Sequence, residues 1–159
     1  MSRRHRLPNA GQSLVEFALV APLLLALMFV LVELGIIFSI YIGLTNSARE
    51  AARVGAAYQY QMTNPTSTPA TATVDGARAG AMNAAIMATL NPILDVTVVG
   101  QLSPSYVYEP ATPTNNNYRY GDKVIVTLSY THNLFFNLFG FPSIAIQSSS
   151  EMRLEPGGL

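Results

Sequence analysis

The segment Gly11-Gln12-Ser13-Leu14-Val15-Glu16 separates three arginines from a long apolar run. The arginines stand at positions 3, 4 and 6, and from Phe17 to Leu44 the only charged residue is Glu33. A helix needs about 20 apolar residues to cross a bilayer core, so the run predicts one membrane span. A carboxylate at the edge of such a span costs free energy unless it is solvated or paired, so Glu16 needs a physical explanation.

The composition narrows the class of protein. Of 159 residues, 50% are apolar and 11% are charged, whereas soluble domains average about 25% charged residues. The chain has no cysteine, which excludes disulfides and thiolate metal sites. Removal of residues 1–11 takes three arginines from nine basic residues and leaves six against nine acidic ones, so a basic nucleic-acid-binding face is not expected.

Motifs for catalysis or cofactor binding are missing from the sequence. His5 and His132 are the only histidines, which argues against a metal cluster. The chain contains no nucleophile elbow, P-loop or dinucleotide fingerprint. We therefore expect neither an enzyme nor a cofactor, and we predict no catalytic or metal-ligating residue.

The apolar run predicts an anchor that stays in the membrane. A secretory signal has an apolar region of only about 7–15 residues followed by a small-residue cleavage site. The N-terminal arginines favour a cytoplasmic N-terminus, which places the C-terminal part outside the cytoplasm. Helical signal continues beyond the run, so we predict one helix over residues 12–60 that is partly transmembrane. Pro22 lies inside it and is read either as a tolerated membrane proline or as a hinge.

The two acids of this helix are not expected to form one site. Glu33 follows Glu16 by 17 residues, which turns it about 100° around a straight helix. Glu16 is either an interfacial carboxylate that reaches the headgroups or a residue paired with another subunit. Glu33 either contacts a partner, is protonated, or reaches water from a shallow position.

Small residues recur every fourth position along the same helix. Such a pattern lets two helix backbones approach closely. It predicts a contact with another subunit or with a helix folded back from the C-terminal part. The residues are Gly35, Ser39, Gly43, Ser47, Ala51 and Gly55.

The remainder predicts a small extracytoplasmic domain. A Thr/Pro-rich linker is expected over residues 61–74, followed by an α+β domain over 75–159. Asp75 is predicted to N-cap a second helix, Gly76–Leu90. Strands are predicted at 96–99, 106–108, 122–130 and 144–154, with turns at 115–117 and 121–122. The aromatic segment 134–141 is expected to cap the core, rest on the membrane or contact a partner. The fold class is therefore α+β, with a long helix, a second short helix and an antiparallel sheet of three to four strands.

Several of these residues together resemble one known family. They are the segment GQSLVEFALV, Pro22, the Glu33-Leu34-Gly35 step and the run from Ala48 to Arg53. Through these residues the chain resembles the TadE/TadF pseudopilins of bacterial tight-adherence (Flp) pilus systems, with TadE favoured. The resemblance covers about the first third of the chain. The C-terminal part is similar only in its strand-rich pattern and its closing Met152-Arg153-Leu154-Glu155.

The resemblance implies a prepilin with residues 1–11 as its leader. A prepilin peptidase would cleave between Gly11 and Gln12, and Glu16 would pair with the freed α-amine of Gln12 on a neighbouring subunit. The expected partners are this peptidase, other pilins or pseudopilins, the pilus assembly platform and membrane lipid in the bacterial inner membrane, with roles in surface adhesion and biofilm formation. Two alternatives stay open: an uncleaved single-pass protein with an extracytoplasmic binding domain, and an exported domain released after residue 44.

Overall fold

The computed structural model describes residues 10–60, 69–90, 101–114, 117–135, 140 and 142–155. Two helices are followed by three strands: α1 (Ala10–Ala57), α2 (Thr71–Leu90), β1 (Leu102–Glu109), β2 (Lys123–Asn133) and β3 (Ser143–Arg153). This order confirms the predicted α+β class. The chain forms two compact units, Met1–Ile36 and Ile37–Leu159.

Helix α1 is long because few of its residues disfavour a helix. Its 48 residues are rich in leucine and alanine, which are among the best helix formers. Pro22 lies within the helix without ending it. The observed bounds, 10–57, differ from the predicted 12–60 by two or three residues at each end, a normal margin for helix termini.

The sheet of the second unit is antiparallel, with β2 in the centre and the order β1-β2-β3. Tyr106 pairs with Val126, which in turn pairs with Ser150. The predicted alternation along β2 is confirmed, because its even-numbered residues from Val124 to His132 are buried. Pro104 lies in β1, where it is tolerated because β1 is an edge strand of this sheet.

Both helices contribute to the core of the second unit. From α1 the core takes Leu44, Ala48 and Ala52, and from α2 it takes Val74, Met82, Ile86 and Leu90. A hydrogen bond of 3.1 Å from Ser148 Oγ to Thr45 Oγ1 connects β3 to α1. Another, of 2.5 Å from Tyr106 Oη to Asn83 Oδ1, connects β1 to α2. The apolar face of the sheet is therefore covered by helix, as expected for two packed layers.

The predicted start of the second helix is wrong. Helix α2 begins at Thr71, so the last four residues of the predicted linker are helical and Asp75 lies inside the helix. The backbone N–H groups of Thr73 and Val74 donate to the carbonyl of Ala70 and close the first turn. Asp75 does not cap the helix because its carboxylate accepts hydrogen bonds from two arginines instead.

Other predicted elements agree only in part. The predicted strand 106–108 is the end of an eight-residue strand, because β2 offers a partner to every residue from Leu102 to Glu109. On β3, Ile146 and Ser148 are buried, and so is Leu154 just after the strand, whereas Ile144 and Met152 of the same predicted face are exposed. A turn forms at Gly121, whose φ of 89° lies in the left-handed region that glycine adopts easily. The predicted strand 96–99 and most of segment 134–141 lie outside the described residues.

Candidate assembly segment

The first unit presents an apolar helical surface. Every residue from Gly11 to Val20 is exposed, and large apolar side chains point outward on all sides of the helix. In the most apolar 18-residue window of α1 only 6% is buried. A helix that is apolar all round is suited to an apolar surrounding rather than to water. By length and composition α1 can cross a membrane, and within the described chain it is the one such helix. The exposed side chains include Leu14, Phe17, Leu19, Leu23, Leu24, Leu27 and Leu31.

The predicted cleavage site lies at the beginning of α1. Gln12 Nε2 donates a hydrogen bond of 3.1 Å to Glu16 Oε1, one helical turn later. Both side chains are exposed, so the bond satisfies one carboxylate oxygen without burying it. A Cβ atom at Gly11 would meet no other atom within 4 Å. The fold itself therefore gives no steric reason for glycine at position 11.

Glu33 is separated from the other predicted recognition residues. It lies about 26 Å from Glu16 along the helix axis and is partly buried. The structure therefore does not bring the two acids together, as their spacing predicted. Glu33 has an interaction within the chain, so it is not without a partner.

The stripe of small residues is divided between two environments. Gly35 and Ser39 are exposed, whereas Gly43, Ser47, Ala51 and Gly55 are buried in the second unit. A Cβ atom on Gly55 would come within 2.5 Å of Met82 Sδ on α2. The stripe therefore serves internal packing with α2 at Gly55. The six residues do not form one continuous exposed surface.

Arg119 is the centre of a buried polar cluster that the sequence pattern did not reveal. Its Nε donates to Asp75 Oδ2 at 2.8 Å, and its Nη1 and Nη2 donate to the carbonyls of Pro110 and Ala111 at 3.0 and 2.9 Å. Its backbone φ is 61°, an uncommon value for a residue with a side chain. Arg119 thereby attaches the β1–β2 connection to helix α2.

The other members of this cluster balance its charge. Arg78 Nη1 donates to Asp75 Oδ1 at 3.1 Å, and its Nη2 donates to the carbonyl of Tyr118 at 2.8 Å. Asp122 accepts a hydrogen bond from Thr114 Oγ1, and its Oδ2 lies 3.7 Å from Arg119 Nη1. Two buried arginines thus face two aspartates, which is the pairing that buried charges require.

Tyr108 lies against both arginines of the cluster. The guanidinium carbon of Arg119 is 4.6 Å from its ring centroid, and that of Arg78 is 5.7 Å away. These are cation–π distances. Burial raises the pKa of the Tyr108 phenol, and the positive charges of Arg78 and Arg119 oppose this rise. The phenol remains neutral near physiological pH, so it adds no charge to the cluster.

An open cavity of about 510 Å³ lies beside the cluster. Its charged lining residues are Glu109, Asp122, Lys123 and Arg153. The opposite charges are interspersed, so the lining does not select strongly for either an anion or a cation. In the described parts of the chain no group of three or more histidine or acidic side chains is arranged to hold a metal ion.

These elements define a protein with one membrane-compatible helix whose second half is built into a small α+β unit. A model of the family described as TadE-like protein matches residues 11–53. The resemblance inferred from the sequence is thereby confirmed over this segment, which carries the Gly11–Glu16 motif and most of α1. The TadE-like family belongs to tight-adherence pilus systems. No curated protein and no solved structure matches the chain.

Proposed function

We propose that this chain is a minor pseudopilin-like subunit of a tight-adherence pilus assembly system. The observation that carries the proposal is the TadE-like match over residues 11–53. The matched segment combines the Gly11–Glu16 motif with an exposed apolar helix. In this proposal the helix anchors the subunit in the bacterial inner membrane, with its N-terminus in the cytoplasm and the α+β unit outside.

Processing after Gly11 follows from the same segment. Glycine at position 11 has no packing role within the described fold, and in our proposal its small size serves contact with another molecule. A prepilin peptidase is that molecule in our proposal, because access of a protease to a helical backbone is easiest where no side chain covers it. Cleavage would leave Gln12 with a protonated α-amine at neutral pH.

Glu16 supplies the charge that this amine needs in an assembled pilus. Its carboxylate is one turn from Gln12 and exposed, so it is available to the amine of a neighbouring subunit. An ion pair reduces the cost of holding both charges in apolar surroundings, and it specifies the axial register of the two helices. We assign Glu16 this role in assembly with other pilins at the assembly platform.

The size of the second unit favours a minor role. Two helices and three strands, held together by a buried charge cluster, form a unit larger than a helix-to-helix filament requires. Bulk subunits pack side by side in large numbers, whereas a minor subunit can present a separate domain. In this proposal the protein supports pilus biogenesis, and through it adhesion and biofilm formation.

The test compares two glycines on the same helix. Gly11 and Gly35 are both exposed, and at both positions an added Cβ meets no atom within 4 Å. We expect Gly11→Leu to accumulate as the unprocessed chain in cells that express the prepilin peptidase. Gly35→Leu should be processed like the wild type, because position 35 lies far from the cleaved bond.

The readout is the apparent mass of the protein in membrane fractions, with and without the peptidase. Normal maturation of Gly11→Leu would contradict processing at this bond. It would favour the uncleaved membrane-anchored protein with an extracytoplasmic binding domain.

A further inference from the structure

The direction of β3 relative to the Thr45–Ala56 part of α1 shows which end of the second unit lies toward Ile37. Ser148 contacts Thr45 through their hydroxyls, and the backbone N–H of Glu155 donates to the carbonyl of Ala56 at 3.1 Å. Positions later in β3 therefore lie beside positions later in α1. The strand covers about 23 Å between these contacts, while the helix rises about 16 Å. Within the second unit, the start of β3 thus lies toward Ile37.

The described residues on either side of the β2–β3 connection lie at that same end. They are Leu134 and Phe135 after β2 and Ile144 near the start of β3, and together they are called the hairpin end. Ile144 precedes Ser148 by four residues, or about 13 Å of strand. Because about 23 Å of strand corresponds to about 16 Å along the helix, these 13 Å of strand correspond to about 9 Å along α1. Ile144 therefore lies about 9 Å before Thr45 along α1, near the level of Ser39. His132 pairs with Ile144 in the sheet, so Leu134 and Phe135, which follow directly, lie at the same level or beyond it.

Large apolar side chains are exposed at this end. Phe135 is 75% exposed and Phe38 is 63% exposed, and Ile144, Tyr41 and Ile42 are exposed as well. An exposed apolar group of this kind usually contacts another molecule or a membrane. Aromatic residues are also enriched where a protein crosses the boundary between lipid and water.

Among the described residues of the second unit, charged side chains are absent from this end and lie at the other. The sequence contains no Asp, Glu, Lys or Arg from Val124 to Ser150 or from Leu34 to Ala48. At the opposite end, Glu109 pairs with Lys123, and Lys123 with Arg153, in one rung across the sheet. Charge is therefore segregated along the long direction of the strands, as expected if one end leaves water.

The length of the apolar run gives the level of the membrane. If the hydrocarbon core begins at Phe17, about 20 helical residues cross it and end near Ile36. The headgroup layer beyond it is about 6 Å thick, or about four helical residues. It therefore extends to about Ile40, which includes the level calculated for Ile144.

We infer that the hairpin end of the second unit inserts into the membrane interface, with Phe135 and Ile144 in contact with lipid. The second unit thus has a membrane contact of its own in addition to the helical span. This contact limits tilting of the sheet relative to the bilayer and keeps the charged rung at Lys123 away from it. The inference rests on the span in the proposed function but not on cleavage or pilus assembly.

The chain has no tryptophan, so a single introduced tryptophan reports its own position by fluorescence. We would reconstitute the full chain in phosphatidylcholine–phosphatidylglycerol vesicles and compare Phe135→Trp and Ile144→Trp with two references. Leu25→Trp reports the span. Val107→Trp is the matched control, because Val107 is also an exposed apolar side chain, at 49%, but lies only two residue pairs from the charged Glu109–Lys123 pair.

Quenching by brominated lipid and by aqueous iodide distinguishes the outcomes. We expect Phe135→Trp and Ile144→Trp to be quenched by brominated lipid several-fold more strongly than Val107→Trp, which iodide should quench instead. Iodide quenching of both hairpin probes, with lipid quenching of Leu25→Trp, would overturn this inference alone. Protection of both hairpin probes from lipid and iodide would overturn it in favour of a protein contact. Failure of lipid to quench Leu25→Trp would overturn the span itself.

Discussion

Removal of the Asp75 carboxylate tests whether the buried charge cluster holds the second unit together. Asp75 accepts hydrogen bonds from Arg78 at 3.1 Å and from Arg119 at 2.8 Å, and the side chains of the two arginines are only 1% and 7% exposed. In Asp75→Ala, Asp122 remains as the nearest anion, 3.7 Å from Arg119. Because one partner of a buried ion pair is removed, we expect a loss of about 3–5 kcal/mol in the free energy of unfolding.

The chain contains a matched control for this substitution. Glu50 and Arg53 form an ion pair with the same three-residue spacing as Asp75 and Arg78. Its shortest N–O distance is 2.6 Å, but its side chains are 66% exposed at Arg53 and 37% exposed at Glu50. Exposed pairs contribute about 0–1 kcal/mol, so Glu50→Ala should be nearly neutral. Asp75→Asn keeps the shape and should lose most of the stability that Asp75→Ala loses.

The assay is urea unfolding of the full chain in detergent micelles, followed by near-ultraviolet circular dichroism of the tyrosines. With a urea dependence of about 1–3 kcal/mol per molar, Asp75→Ala should lower the midpoint by at least about 1 M. Glu50→Ala should leave it nearly unchanged. Similar midpoints for the two variants would contradict this prediction, because burial would then make no difference to the contribution of an ion pair to the free energy of unfolding.

Three further results are expected. Gly55→Ala should lower the free energy of unfolding by about 1–2 kcal/mol in the same urea assay, because its Cβ would overlap the buried Met82. Tyr106→Phe should flatten the loss of stability between pH 10 and 12. Burial, and to a smaller extent the nearby Tyr108, raises the pKa of Tyr106 to about 12. The contribution of the neutral phenol to the free energy of unfolding is therefore complete below pH 10 and is lost as the pH rises through 12. Glu16→Ala should insert in the membrane normally but strongly reduce piliation seen by electron microscopy.

Each of these has its own control. Gly35→Ala should cost no stability, since an added Cβ there meets nothing; an equal loss at both glycines would exclude the Met82 overlap as the cause. An unchanged alkaline profile in Tyr106→Phe would contradict the raised pKa. Glu16→Gln keeps an acceptor for Gln12 but loses the charge, so wild-type piliation in this variant would show that the charge is not required.

The elements that the sequence predicted well have strong local patterns. The apolar run that precedes Leu44 is too long for anything but an extended apolar helix, and β2 alternates buried and accessible residues from Val124 onward. Such periodicity reflects which face a segment buries, so it is visible without knowledge of the partner. The same applies to Gly121, whose turn requires a residue tolerant of positive φ.

The elements that it predicted poorly depend on distant residues. Asp75 has the chemistry of an N-cap, but Arg119, 44 residues later, binds its carboxylate, and the helix begins at Thr71. Strand β1 contains Pro104 and has a weak local strand signal, and it forms because β2 supplies a partner at every position. Tertiary pairing overrides local propensity in both cases.

The candidate site shows the same division. The Gly11–Glu16 motif is local, and the family match covers it. The stripe of small residues was also visible, but its division between an exposed part and a part packed against Met82 depends on where α2 lies. Arg119 gave no local signal, because a buried arginine with positive φ is indistinguishable in sequence from an exposed one.

The mass of the mature N-terminal peptide shows whether this chain is a processed prepilin. The protein would be extracted from the membranes of cells with an active prepilin peptidase, and its N-terminal peptide measured by mass spectrometry. We predict a peptide that begins at Gln12, with allowance for cyclisation of the glutamine. A peptide that begins at Met1 or Ser2 would contradict the account and leave an uncleaved membrane-anchored protein.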